Sequence, residues 1–147
     1  EYKTKNAHLL DLYGGVGTFG VCNAEKFKTV TIVESVPSST DAAKKNAEKY
    51  AHVKAEALDA KCLRRVSLQQ PLFVITDPPR SGMDQKTIET LNVLKPRCII
   101  YISCNVQQLR KDIHKFKKYN VKSLALFDFF PHTPHSEAVV EFILKEE

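Results

Sequence analysis

Apolar and polar positions alternate along this chain in blocks rather than residue by residue. "HLLDLY" (8–13) is a short apolar run that stops at a glycine cluster, and "TFGVCNAEKF" (18–27) follows with a helical period. "TVTIVES" (29–35) is β-branched and reads as a strand, while "PSSTDAAKKNAEKY" (37–50) sets capping residues ahead of an alanine-rich helix. The pattern continues through the strand "HVKAEAL" (52–58), the weaker helix "DAKCLRRVSL" (59–68) and the strand "PLFVITD" (71–77). Asp84 then caps the helix "DQKTIETLNVL" (84–94), which leads to the strand "RCIIYISC" (97–104) and the helix "VQQLRKDIHKF" (106–116). The strand "VKSLALFDFF" (121–130) passes through the turn "PHTPHS" into a last strand, "EAVVEFILK" (137–145).

Continuous apolar runs suit strands covered on both faces. Strand–helix alternation of this regularity predicts an α/β fold with a mostly parallel, doubly wound sheet. The last two strands have no helix between them, so the sheet must finish with an antiparallel strand. That finish resembles the class I (Rossmann-like) methyltransferase fold, and plain dinucleotide-binding folds usually lack it.

A length of 147 residues fits one domain, 1–147, with 43% hydrophobic and 27% charged residues. No run approaches the ~18 apolar residues of a membrane span, and no signal-peptide pattern opens the chain. The first residues run almost directly into a strand, as expected for a piece of a longer protein. Cys22, Cys62, Cys98 and Cys104 show neither CxxC pairs nor zinc spacing, which points to free thiols in a reducing, cytoplasmic setting and to no metal site. Net charge is +5, concentrated in "LRKDIHKFKKYNVK" (109–122), with six Lys or Arg against one Asp. That run is either a solvated helix face or a patch for a polyanionic partner.

Candidate chemistry gathers at the strand tips, where α/β folds bind ligands. "DLYGGVGTFG" (11–20) carries Gly15, Gly17 and Gly20 as G-x-G-x-x-G, flanked by Asp11, Tyr13, Thr18 and Phe19. Such a loop admits a ligand close to the backbone, and the following helix start is expected to offer free N–H groups. Glu34 ends the next strand, where an acid accepts from ribose hydroxyls. Asp59 either receives an adenine amino group or merely caps the next helix. The loop alone does not choose between NAD and S-adenosylmethionine, but a methyl donor needs no pyrophosphate site, and Asp11 could stand near its sulfonium.

In "VITDPPRSGM" (74–83) two prolines stiffen the loop beside Asp77, which can bond the edge of a planar heterocycle, while Arg80 can meet phosphate or carboxylate. Cys104 ends the next strand at a helix start, where Asn105 and nearby amides favour a thiolate, and Asn105 is also expected to meet the substrate. A thiolate there suits conjugate addition to C6 of a pyrimidine, which makes C5 nucleophilic toward a methyl donor. The C5 proton must then leave, and Glu137 is the carboxylate placed to take it, with His132 and His135 nearby and Glu141 a weaker candidate.

The motifs "DLYGGVGTFG", "DPPRSG", "YISCN" and "FPHTPHSE" resemble those of the RNA (uracil-5-)-methyltransferase family, TrmA/RumA type, in type, order and approximate spacing. The resemblance implies Cys104 as nucleophile, Glu137 as general base, Asp77 against the target uracil, and the glycine loop with Glu34 around S-adenosylmethionine. It implies tRNA or rRNA as partner. The family usually has Cys at Gly14, and Pro at Val106, whose change is expected to loosen the loop. Its upstream F-x-Q-x-N segment and β-rich RNA-grasping domains have no counterpart in these residues. A cytosine-C5 methyltransferase, a non-catalytic binding module and an NAD enzyme are the competing readings; oligomeric state is silent.

Overall fold

The computed structural model describes residues 2–146, so Glu1 and Glu147 of the expected 1–147 domain lie outside the described residues. The strands are β1 (His8–Leu12), β2 (Thr29–Glu34), β3 (Val53–Ala57), β4 (Leu72–Thr76), β5 (Cys98–Ser103), β6 (Tyr119–Phe127) and β7 (Glu137–Leu144). They form one sheet in the order β3-β2-β1-β4-β5-β7-β6. Neighbours among β1 to β5 pair in parallel, while β7 pairs antiparallel with both β5 and β6. The expected antiparallel final strand is β7, which inserts between β5 and β6. β1 to β5 all end at one rim, and there β6 also ends and β7 begins.

The helices are α1 (Thr18–Cys22), α2 (Pro37–Ala47), α3 (Gln85–Leu94) and α4 (Val106–Ile113). On one face, Leu10, Val74, Ile99 and Val140 pack in a cluster with Ile88 and Leu91 of α3 and Leu109 of α4. On the other, Leu9, Val30 and Ile32 pack with Ala43 and Ala47 of α2.

Three elements differ from expectation. The helix over 18–27 stops at Cys22, where the Asn23 amide donates back to the Phe19 carbonyl at 2.9 Å, and a 3-10 turn follows at Ala24–Lys26. The segment 59–68 forms only a 3-10 turn, Ala60–Arg65, too short to propagate an α-helix. β6 is apolar in sequence yet exposed along eight of its nine residues, because it is outermost and none of the described helices covers it. A bulge between Val121 and Ser123, with Lys122 bound to Glu141 at 3.0 Å, blunts this edge.

The basic run is also divided. Lys115 and Lys122 pair with Asp112 and Glu141, and the turn 114–118 lies at the end of the sheet opposite the rim. It does not face the strand tips, as a phosphate patch serving them would.

The one acid in that run holds two rim loops together. Asp112 is fully buried on α4 and accepts from the Tyr101 hydroxyl of β5 at 2.7 Å and from the Met83 N–H at 3.0 Å. Gln108 and Lys115 complete its shell at 3.1 and 2.9 Å. Gly82, with φ of 85°, is required beside it, since a Cβ there would stand 2.6 Å from the Asp112 carboxylate. The 77–83 loop is thus pinned to the helix that starts just after Cys104. Burial alone would raise the Asp112 pKa, but the bonds from Tyr101 and Met83 and the Lys115 ammonium outweigh it and hold the carboxyl below its usual value.

Asp112→Ala, which strands the Tyr101 hydroxyl and the Met83 N–H, is expected to cost about 3 kcal/mol in urea unfolding. A depressed folded pKa means that the stabilisation is present at neutral pH and is lost as acid titrates the folded carboxylate, below about pH 4. Asp112→Asn should therefore flatten that acid limb of the stability–pH curve.

Candidate active site

Two clefts meet at the rim. The first, of about 620 Å³, opens over the ends of β1, β2 and β4 and is lined by Tyr13, Glu34, Leu58, Asp59, Asp77 and Met83 among others. The second, of about 240 Å³, is lined by Arg80, Cys104, Phe130, His135, Ser136 and Glu137. Asp77 belongs to the first yet is coupled to Glu137 of the second. Enclosure by the cleft walls, then the Glu137 charge, raises its pKa above the ordinary carboxylate value.

The strand register accounts for the second cleft. In the β5–β7 ladder Ser103 lies opposite Ala138, so the next positions at the rim are Cys104 and Glu137. Cys104 sits in a braced turn: the Ser103 hydroxyl donates to the Asn105 carbonyl at 3.0 Å and accepts from the Asn105 N–H at 3.1 Å. The Asn105 carboxamide caps α4 through the Gln108 N–H at 3.2 Å and donates to the Arg80 carbonyl at 3.1 Å. Asn105, expected at the substrate, is thus committed to joining the Cys104 and Arg80 loops. Glu141 lies mid-strand opposite Ile100 and is held by Tyr2, Lys122 and Ser123, away from the rim. His132, at φ of 64°, stands outside the lining that His135 joins.

In the first cleft Glu34 accepts from the Gly15 N–H at 2.8 Å and the Val36 N–H at 2.9 Å, which fixes its carboxylate at the cleft wall. Asp59 meets the capping expectation, on the 3-10 turn through the Lys61 N–H at 2.9 Å, and also stands at the cleft. Asp11 does not line it. Its carboxylate is buried beneath the loop and accepts from the Gly20 N–H at 2.7 Å. One of the helix-start N–H groups expected to be free, that of Gly20, is thus taken by the Asp11 side chain. Burial, only partly offset by that bond and reinforced by Asp77 and Glu34, lifts the Asp11 pKa to about 7. Thr18 is exposed and Phe19 half-buried on α1, and neither lines the cleft. Tyr13 does, on a left-handed backbone with φ of 59°.

A family model described as tRNA (Uracil-5-)-methyltransferase matches residues 2–145. The chain belongs to this family. It is 40% identical over 136 residues to a Pyrococcus horikoshii tRNA (uracil(54)-C(5))-methyltransferase, covering 92% of the chain and 33% of that relative. It is 36% identical over 140 residues to the Proteus mirabilis 23S rRNA (uracil(747)-C(5))-methyltransferase RlmC, covering 94% of the chain and 37% of that protein. The crystal structure of the Pyrococcus abyssi tRNA (uracil-54, C5)-methyltransferase with S-adenosyl-L-homocysteine superposes with a TM-score of 0.83 at 32% identity, over 96% of this chain and 35% of that one. The chain spans about a third of the length of these relatives. The sheet is that of the class I methyltransferases.

Within this family fold, the two departures in the motifs have local reasons. Val106 opens α4 in place of Pro, but the Asn105 cap and the Ser103 brace hold the turn that Pro would stiffen. Gly14 is a packing glycine: a Cβ there would stand 2.5 Å from the Ile32 Cγ2 methyl. Ile32 also fills the space beside Gly17 and Gly20, at 2.9 and 2.7 Å from the Cβ each would carry. Only Gly15, at φ of 55°, faces open space.

Gly14→Ala should therefore destabilise by about 1–3 kcal/mol through overpacking. Ile32→Ala relieves the same contact, so the double variant should cost less than the sum of the two single ones in a denaturant cycle.

Proposed function

We propose that this chain is the catalytic methyltransferase part of an RNA uracil-C5 methyltransferase, acting on uridine in tRNA or rRNA with S-adenosylmethionine. The observation that carries the reading is the second cleft, where a thiol and a carboxylate from adjoining strand tips line one small space next to a larger one.

The residues of the first cleft fit the methyl donor. Its lining holds four carboxylates, Glu34, Asp59, Asp77 and Asp84, against one cation, Lys61. That set of acceptors suits ribose hydroxyls, an adenine amino group and a cationic sulfonium, and it disfavours a pyrophosphate. One helix-start N–H that could meet a phosphate, that of Gly20, is taken by Asp11, which further weighs against NAD. Glu34 would hold the ribose, Asp59 the adenine edge, and the open approach at Gly15 the rest of the ligand. When bound, S-adenosylmethionine supplies an electrophilic methyl group to the neighbouring cleft.

Cys104 adds through sulfur to C6 of uracil, and the C6–S bond leaves C5 electron-rich enough to take that methyl. Asp77 bonds the edge of the ring and orients it. Glu137 then removes the C5 proton, the C5=C6 double bond re-forms, and the Cys104 sulfur leaves as thiolate. Arg80 stands at the same cleft, where a backbone phosphate would meet it.

RNA carrying 5-fluorouridine should trap the protein covalently in the presence of S-adenosylmethionine, because fluorine cannot depart as a proton. The adduct should appear as a shifted band in denaturing gels and vanish in Cys104→Ala. Trapping that persists in Cys104→Ala would assign the nucleophile elsewhere.

Asp11 gives the cofactor site a pH dependence. Its folded pKa of about 7 means that the protonated form predominates below neutrality, and a cationic ligand nearby favours the charged form. Affinity for S-adenosylmethionine, followed calorimetrically, should rise between about pH 6 and 8. Asp11→Asn should flatten that rise.

A further inference from the structure

Three phenylalanines crowd the end of β6 and stay largely open to solvent. Phe127, Phe129 and Phe130 are 42%, 64% and 51% exposed. Phe127 and Phe129 lie ring over ring, with centroids 5.6 Å apart and planes 10° from parallel. Their position is set by the ladder: Phe127 pairs with Glu137, so the aromatic segment leaves the sheet at the rim where the second cleft opens. Phe130 is itself part of that cleft's wall, with Cys104 and Glu137.

We propose that this cluster is a stacking platform for the nucleobases that flank the target pyrimidine, so that the site takes its substrate as single-stranded or splayed RNA. The inference rests on the reading of Cys104 and Glu137 as the pyrimidine site. A base that reaches a pocket this small must leave its stack, and its neighbours then lose a stacking partner. Exposed rings at the pocket mouth restore that contact, and each has a π-face that any base can use. Leu124 and Leu126 are also exposed, but the period of two along β6 puts them on the opposite face from Phe127. The aromatic side is the one continuous with the cleft. Arg80 lies across the same cleft, so stacking and phosphate contact are available to one strand at once.

The test uses a short single-stranded oligouridylate carrying 2-aminopurine beside a 5-fluorouridine. Binding should quench the 2-aminopurine, and Phe130→Leu or Phe129→Leu, which keep an apolar side chain but remove the ring, should weaken binding roughly tenfold and restore the fluorescence. Phe130→Trp should retain both. The same sequence in a duplex should bind without quenching. Leucine variants that bind and quench like the wild type would overturn the platform, and so would a self-association measured by sedimentation that those variants abolish. The two readings fail separately. Ring-dependent quenching without any covalent adduct would remove the role of Cys104 and leave the platform, whereas an adduct formed equally by the leucine variants would remove the platform and leave Cys104.

Discussion

The arrangement depends on one strand inserted the other way round. β7 runs antiparallel between β5 and β6, and its register sets Ser103 opposite Ala138. In a wholly parallel sheet the residue at the start of a strand stays at the far end from the tips of its neighbours. Reversal brings the first residue of β7, Glu137, to the rim where β5 delivers Cys104. A shift of one residue would turn every side chain of β7 to the other face, burying Glu141-side residues and exposing Val140 and Phe142. The apolar core beneath, with Val140 and Phe142 fully buried, therefore fixes the register that places the acid.

The rim loops are held both from behind and by each other. Asp112 reaches from α4 to the Met83 N–H, and Asn105 reaches to the Arg80 carbonyl, so the loop after β4 is tied twice to the segment after β5. Neither polar residue lines a cleft. Their hydrogen-bonding capacity is spent on geometry, which leaves Asp77, Arg80, Cys104 and Glu137 to face the open space.

Much of this was legible in the residues. Block-wise hydrophobicity and two final strands without a helix between them were enough for the order of elements, and tip-located Cys104 and Glu137 do line one cleft. Position relative to neighbours was less legible. G-x-G-x-x-G reads as three ligand-facing glycines, but two of them make room for Ile32, a partner from another strand that no local pattern reveals. Asp11 reads as facing the cofactor, whereas its carboxylate is buried beneath the loop on the Gly20 N–H. Asp112 looked like one acid diluting a basic run, and only the Tyr101 and Met83 contacts show why it is there. β6 read as buried because apolar content signals burial only where something lies over the strand.

The proposed chemistry needs Cys104 and Glu137 to act on one pyrimidine. Its most direct test is intact mass analysis of Glu137→Gln incubated with unmodified substrate RNA and S-adenosylmethionine. Without a base to take the C5 proton, the protein should accumulate as a covalent complex with methylated RNA that heat and denaturant do not separate. Free methylated RNA released at the wild-type rate, with no covalent species, would contradict the pairing of Cys104 with Glu137.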